Sequence, residues 1–203
     1  MIKKTVFPLA VGLLLPLSAL AAQQPQYSYL QGDFVVNGEV DVGPANEDYD
    51  GWELGGSVGL TPQLFVAGEY SNLEVDSSND DVERSYVGLG LHGPLTTTAQ
   101  PTDVYAMVSY ERLDFGSEDA DGFGLSAGLR WLPLPQAEVN PYVGYVDYGD
   151  IGSIDLNGLR LGVKGLYKIT DQVALLAGYQ TMQLEDLDLE EEITLGARVY
   201  FDI

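Results

Sequence analysis

The sequence predicts an antiparallel, up-and-down β-barrel that spans a membrane, and three observations predict it. A period of two runs through 121–131: Phe123, Leu125, Ala127, Leu129 and Trp131 share one face of an extended chain, and Gly122, Gly124, Ser126, Gly128 and Arg130 share the other. The polar face carries an Arg among glycines, which suits a crowded polar lumen better than a solvated surface. Beyond residue 22 no window reaches the ~18 apolar residues of a membrane helix. A membrane protein built from such a chain has to be a closed barrel, in which every backbone group finds a partner.

The amino terminus reads as a secretory signal peptide over 1–22. It has Lys3 and Lys4, an apolar run from Thr5 to Leu17, and the small-residue site Ala19, Leu20, Ala21. The run is too short and too broken by Pro8 and Pro16 to anchor the chain. Residues 23–203 then make one barrel domain. The absence of Cys excludes disulfides, thiol catalysis and Cys-ligated metal. Without Lys3 and Lys4 there are 7 basic and 31 acidic residues, a net charge of −24, and that sign excludes nucleic acid as a partner.

Ten strands are predicted, each about the 9 to 11 residues that a tilted strand needs to cross a bilayer. The first, 27–37, points Asp33 inward; the second, 52–60, opens on Trp52 and points Glu53, Gly55 and Gly59 inward. The third, 64–73, sets Glu69 against an outward Tyr70, and the fourth, 84–92, lines the lumen with Arg84, Tyr86, Gly88 and Gly90. The fifth, 103–113, alternates Tyr105 and Glu111 with Tyr110; the sixth, 122–131, is the stretch above. The seventh, 139–148, is expected to turn Tyr145 and Asp147 inward and Tyr142 and Tyr148 outward. The eighth, 156–167, sets Arg160, Gly162 and Lys164 against Leu161; the ninth, 173–183, carries Tyr179 outward; the tenth, 192–202, sets Gly196, Arg198 and Tyr200 against Leu195. An even number returns both ends to the periplasmic side. Eight strands is the alternative, should the first strand or the pair around Asp150 be misplaced.

The connectors alternate in chemistry. After the even strands come short segments with Pro or Asp turn residues and little charge, such as Thr61 to Gln63. After the odd strands come acidic segments over 39–50, 74–83, 114–121, 150–155 and 185–192, expected as loops, which hold 22 of the 31 carboxylates. The acidic end is then the extracellular one. Trp52, Tyr70, Tyr110, Tyr148 and Tyr179 read as an aromatic girdle at that end, and Trp131, Tyr142 and Tyr167 as its counterpart.

Charges concentrate inside. Asp33, Glu53, Glu69, Glu111 and Asp147 share the lumen parity with Arg84, Arg130, Arg160, Lys164 and Arg198, which predicts a mutually neutralising network. An Arg or Lys on the lipid face at the midplane would cost about 2 to 4 kcal/mol. Arg112 is the outward exception, high enough to meet lipid phosphates. A lumen so filled is expected to conduct little. A soluble barrel would need the reverse orientation, with the arginines forming an outer ring.

The last strand carries Thr194, Gly196 two places on, then Val199 and Phe201. With the signal and the alternating strands, this pattern resembles small bacterial outer-membrane β-barrels of the OmpX type or the OmpA membrane domain. The resemblance implies an outer-membrane location, an assembly signal read by the barrel-assembly machinery, and escort by periplasmic chaperones. Such barrels usually stop on the aromatic residue, whereas this chain continues through Asp202 and Ile203. The resemblance fixes no activity.

Catalysis finds little support. His92 sits at the turn end of the fourth strand, and the sequence sets no Ser or Asp pair beside it. Asn46, Asp48 and Asp50 match the first half of a calcium-loop spacing, but Ser57 stands where a bidentate Glu belongs, so they are weak metal candidates. No cofactor is expected beyond loosely held Ca²⁺ or Mg²⁺, which would relieve repulsion among the acidic segments. The resulting expectation is a monomeric, non-enzymatic barrel with a structural or surface-interaction role, in contact with outer-membrane lipid and lipopolysaccharide. A narrow cation-preferring channel, fed by an acidic mouth, is the alternative.

Overall fold

A computed structural model describes residues 24–202 apart from 43–44, 77–80, 96–99, 116–117, 152–153 and 186–187; the signal segment 1–22 lies outside the described residues. Ten strands are present: β1 (Tyr29–Val42), β2 (Ala45–Gly59), β3 (Leu64–Val75), β4 (Asp81–Pro94), β5 (Thr102–Phe115), β6 (Glu118–Leu134), β7 (Ala137–Ile151), β8 (Ile154–Lys168), β9 (Val173–Leu184) and β10 (Asp188–Tyr200). Each pairs antiparallel with its sequence neighbours, and β1 closes on β10 with Tyr29 opposite Tyr200. The fold class is the predicted one, with ten strands and not eight. At the end opposite the acidic segments two tight turns share one device. The Thr61 hydroxyl accepts from the Gln63 and Leu64 amides, and Thr170 does the same for Gln172 and Val173.

The strands run from 12 to 17 residues, longer than a bilayer requires. The excess is the acidic end. Of the 22 carboxylates expected on loops, 18 lie on strands, so the acidic segments are mainly ladder that continues past the membrane. At about 3.3 Å per residue, three or four extra residues carry the barrel roughly 10 Å farther.

Polarity inverts between the two storeys of the barrel. In the membrane storey Leu30, Phe34, Leu54, Val108, Leu125 and Leu195 face out and are exposed, while Asp33, Glu53, Glu111, Arg130 and Arg198 are buried within. In the outer storey the inward positions are apolar. Val35, Val40, Tyr49, Leu73, Val75, Val82, Leu113, Val146, Tyr148, Leu156, Met182, Leu184 and Leu189 pack into one core. Asp48, Asp50, Glu74, Asp119 and Asp121, on the alternate positions, are exposed. Water surrounds this storey, so its grease turns inward as in a soluble protein.

The seventh strand corrects the sequence reading. Tyr142, Val146 and Tyr148 face the lumen, and Pro141, Val143 and Tyr145 face lipid. Asp147 therefore lies on the outward parity, opposite Phe123, where it accepts from the Gly149 amide at 3.0 Å. Register decides the matter. Tyr142 stands between Gly128 of β6 and Gly162 of β8, two inward positions without side chains; its ring fills the space at Gly162, and the Tyr105 ring that at Gly128. Tyr142 and Tyr148 are accordingly not girdle residues. Trp52, Tyr70, Tyr110 and Tyr179 do face out at the acidic end, with Trp52 and Tyr70 ring to ring at 5.4 Å.

Candidate functional site

The lumen charges form layers, and each layer is built from strands that pair or face across the barrel. Beneath the apolar core, Arg84 of β4 donates to Glu192 at 2.8 Å, to Glu53 at 3.3 Å and to the Ser71 hydroxyl at 3.1 Å. Tyr49 and Gln180 also donate to Glu192, at 3.0 and 2.9 Å. Lower down, Arg160 reaches Glu111 and the Tyr148 hydroxyl, both at 3.2 Å, and Ser109 donates to the same carboxylate. Lys164 spans the barrel to Glu69 at 3.3 Å. Arg198 donates through Nε and Nη2 to the Gln31 amide oxygen, and Gln31 donates onward to Asp33. At the end opposite the acidic storey Arg130 holds Glu138 through two bonds of 2.6 and 2.9 Å.

Nine of the ten residues predicted for the lumen are thus on the inner face, with Asp147 the exception. Three inward acids escaped the sequence reading: Asp103, Glu138 and Glu192. Glu192 precedes Thr194 by two places and lies in the acidic segment; Glu138 lies in the connector before the predicted seventh strand, whose parity the structure reverses; Asp103 shares the face of Tyr105. Burying an ion without a partner costs several kcal/mol, and two of these acids supply partners, Glu192 for Arg84 and Glu138 for Arg130.

The two ends differ in how they close. The apolar core fills the outer storey. At the other end residues 24–28 fold into the mouth, where the Gln26 carbonyl accepts from Arg130 at 2.7 Å and its side-chain oxygen from Lys168 at 3.1 Å. Tyr27 stacks on His92 at 3.7 Å and packs against Phe65. Asp103, which the sequence reading did not associate with His92, lies 2.9 Å from its Nδ1. The ring thus sits in the mouth with a carboxylate on one edge and an aromatic face against it. Farther in lies a cavity of about 110 Å³, bordered by Tyr29, Glu69, Tyr86, Tyr105, Lys164 and Arg198 among others.

Outside, Arg112 does not stand free for lipid phosphate. Its guanidinium lies 2.9 Å from Asp114, 3.5 Å from Asp119 and 3.9 Å from Asp121, all on the outward face of β5 and β6. Asn46, Asp48 and Asp50 belong to the extended ladder of β2, with Asn46 opposite Asp41 and Asp48 opposite Glu39. An extended strand spaces alternate residues by roughly 6.6 Å and does not wrap a cation as a calcium loop does. Among the described residues no group of three or more His, Cys, Asp or Glu side chains is arranged to hold a metal. In the last strand Thr194 is buried inward and Val199 faces lipid, with Phe201 just past the ladder.

The family described as outer membrane protein beta-barrel domain matches residues 7–201. Among solved structures, the translocator domain of the autotransporter NalP from Neisseria meningitidis is 12% identical, covering 88% of this chain and 90% of that one at a TM-score of 0.50. Neisserial surface protein A is 15% identical over 85% and 96%, with a TM-score of 0.45. The attachment invasion locus protein Ail of Yersinia pestis is 13% identical over 88% and 100%, with a TM-score of 0.42. At these identities the likeness concerns the fold alone. No curated protein matches the sequence.

Proposed function

Because this chain belongs to the outer membrane protein beta-barrel domain family and so resides in the outer membrane, we propose that it is a closed, monomeric, non-enzymatic wall element that engages lipopolysaccharide through divalent cations. The charge arrangement of the outer storey carries this reading. Carboxylates project from strands with apolar inner faces, and Arg112, the one outward basic side chain there among the described residues, is already held by three aspartates. Lipopolysaccharide is itself anionic, and like charges within a Debye length of ~8 Å repel. Hard divalent cations take oxygen ligands from carboxylate and phosphate alike, and a shared ion turns that repulsion into a bridge. The residues Thr194, Gly196, Val199 and Phe201 suit recognition by the barrel-assembly machinery, with chaperones escorting the chain beforehand.

The apolar core of the outer storey and the Tyr27 and His92 stopper support a non-conducting lumen over the channel alternative. The test is thermal: the detergent-extracted barrel is mixed with lipopolysaccharide at low ionic strength, and its heat-modifiable band is followed with and without chelator. Chelation is expected to lower the melting temperature, and added Ca²⁺ or Mg²⁺ to restore it. An unchanged melting temperature rejects the cation bridge.

A further inference from the structure

Residues 24–28 lie in the mouth at the end opposite the acidic storey, and none of them belongs to a strand. Ser28 ties the segment to the backbone of the sheet, its hydroxyl accepting from the Gly59 amide at 3.2 Å and its carbonyl from the Phe201 amide at 3.1 Å. Ahead of Ser28 the holds come from side chains of the wall. Arg130 and Lys168 donate to the two oxygens of Gln26, while His92 stacks on the Tyr27 ring and the Arg130 Cζ lies 4.6 Å from its centroid. Contacts of this kind can be released without breaking a ladder bond.

Tyr27 is 7% exposed, and its hydroxyl is buried without a protein partner. A phenol so placed serves by the bulk of its ring, and the unmet hydroxyl weakens the hold that burial gives it. Behind it is the cavity. Tyr27, Phe65 and Arg130 border that space, and so does Val146, a member of the apolar core of the outer storey. The cavity thus reaches from the amino-terminal segment to the core.

We propose that residues 24–28 are a lid, which swings about Ser28 and opens the mid-barrel cavity at the end opposite the acidic storey while the apolar core keeps the other end shut. The barrel is then a cup with one mouth, and not a pore. This device is separate from the acidic storey and does not depend on what that storey binds. In the orientation proposed above, the cup opens to the periplasm.

The sequence has no Cys, so Ser126→Cys places a single thiol on the cavity wall. The folded barrel in detergent is treated with ethylammonium methanethiosulfonate, and labelling is followed by mass. Slow labelling is expected, limited by opening of the lid. Tyr27→Gly in that background is expected to speed it by at least about tenfold, whereas Met182→Ala, in the apolar core, leaves the rate unchanged. Should Tyr27→Gly fail to fold, Lys168→Met unties the Gln26 side chain and is expected to move the rate in the same direction. Heat-modifiable migration checks that each variant is folded. A rate that neither variant raises, or that Met182→Ala raises as much, overturns the lid. Single-channel steps in Tyr27→Gly also overturn it, because the core would then be no barrier.

Discussion

Single side chains in the barrel matter according to whether they stand alone or in a buried pair. Arg84 is 8% exposed and satisfies two carboxylates, so Arg84→Met leaves Glu53 and Glu192 facing each other in the dark. The expected loss is about 3 to 5 kcal/mol of unfolding free energy, read by denaturant titration of the reconstituted barrel. Arg112→Met is the contrast. Its ion pairs are solvent-exposed, and the same titration should move by less than about 1 kcal/mol. Equal losses for the two variants would show that burial does not set the value of these pairs.

Among the elements, β7 was the hardest to read and β6 the easiest. In β6 one face is apolar and the other is glycine, serine and arginine, so parity is decided by composition. In β7 both faces carry tyrosine and valine, and a shift of one residue exchanges two plausible stripes. What settles it is the pair of glycines on the flanking strands, a fact about register that no single segment contains. The same limit hid the outer storey, because acids at strand ends look like loop chemistry until the Leu, Val and Met between them are seen to line up across ten strands. The charged lumen, by contrast, was legible residue by residue, since Arg84, Arg160 and Lys164 stand on cleanly alternating strands. The corrected parity is directly testable. In a background with Trp52→Phe and Trp131→Phe, a Trp placed at Tyr145 should be quenched by brominated lipid and a Trp placed at Tyr142 should not. Quenching of the second site would restore the original parity.

As a whole the molecule is two barrels of opposite polarity sharing one ladder. The outer one behaves as a soluble core, and Leu73→Ala or Met182→Ala should each cost about 2 to 5 kcal/mol in the same unfolding titration while insertion into liposomes proceeds. Planar-bilayer recordings of the intact protein should show no stable single-channel steps; steps with cation preference would favour the channel. The ring is joined where β1 pairs with β10. Every other neighbour in the ring is also a neighbour along the chain, so nine of the ten joints can form by short hairpins. The tenth waits until Tyr29 meets Tyr200, and until then the nascent ring is a curled ribbon with two bare margins. Such a ribbon offers its amides and carbonyls to any passing polypeptide, and the last step of its biogenesis is the one that withdraws the offer.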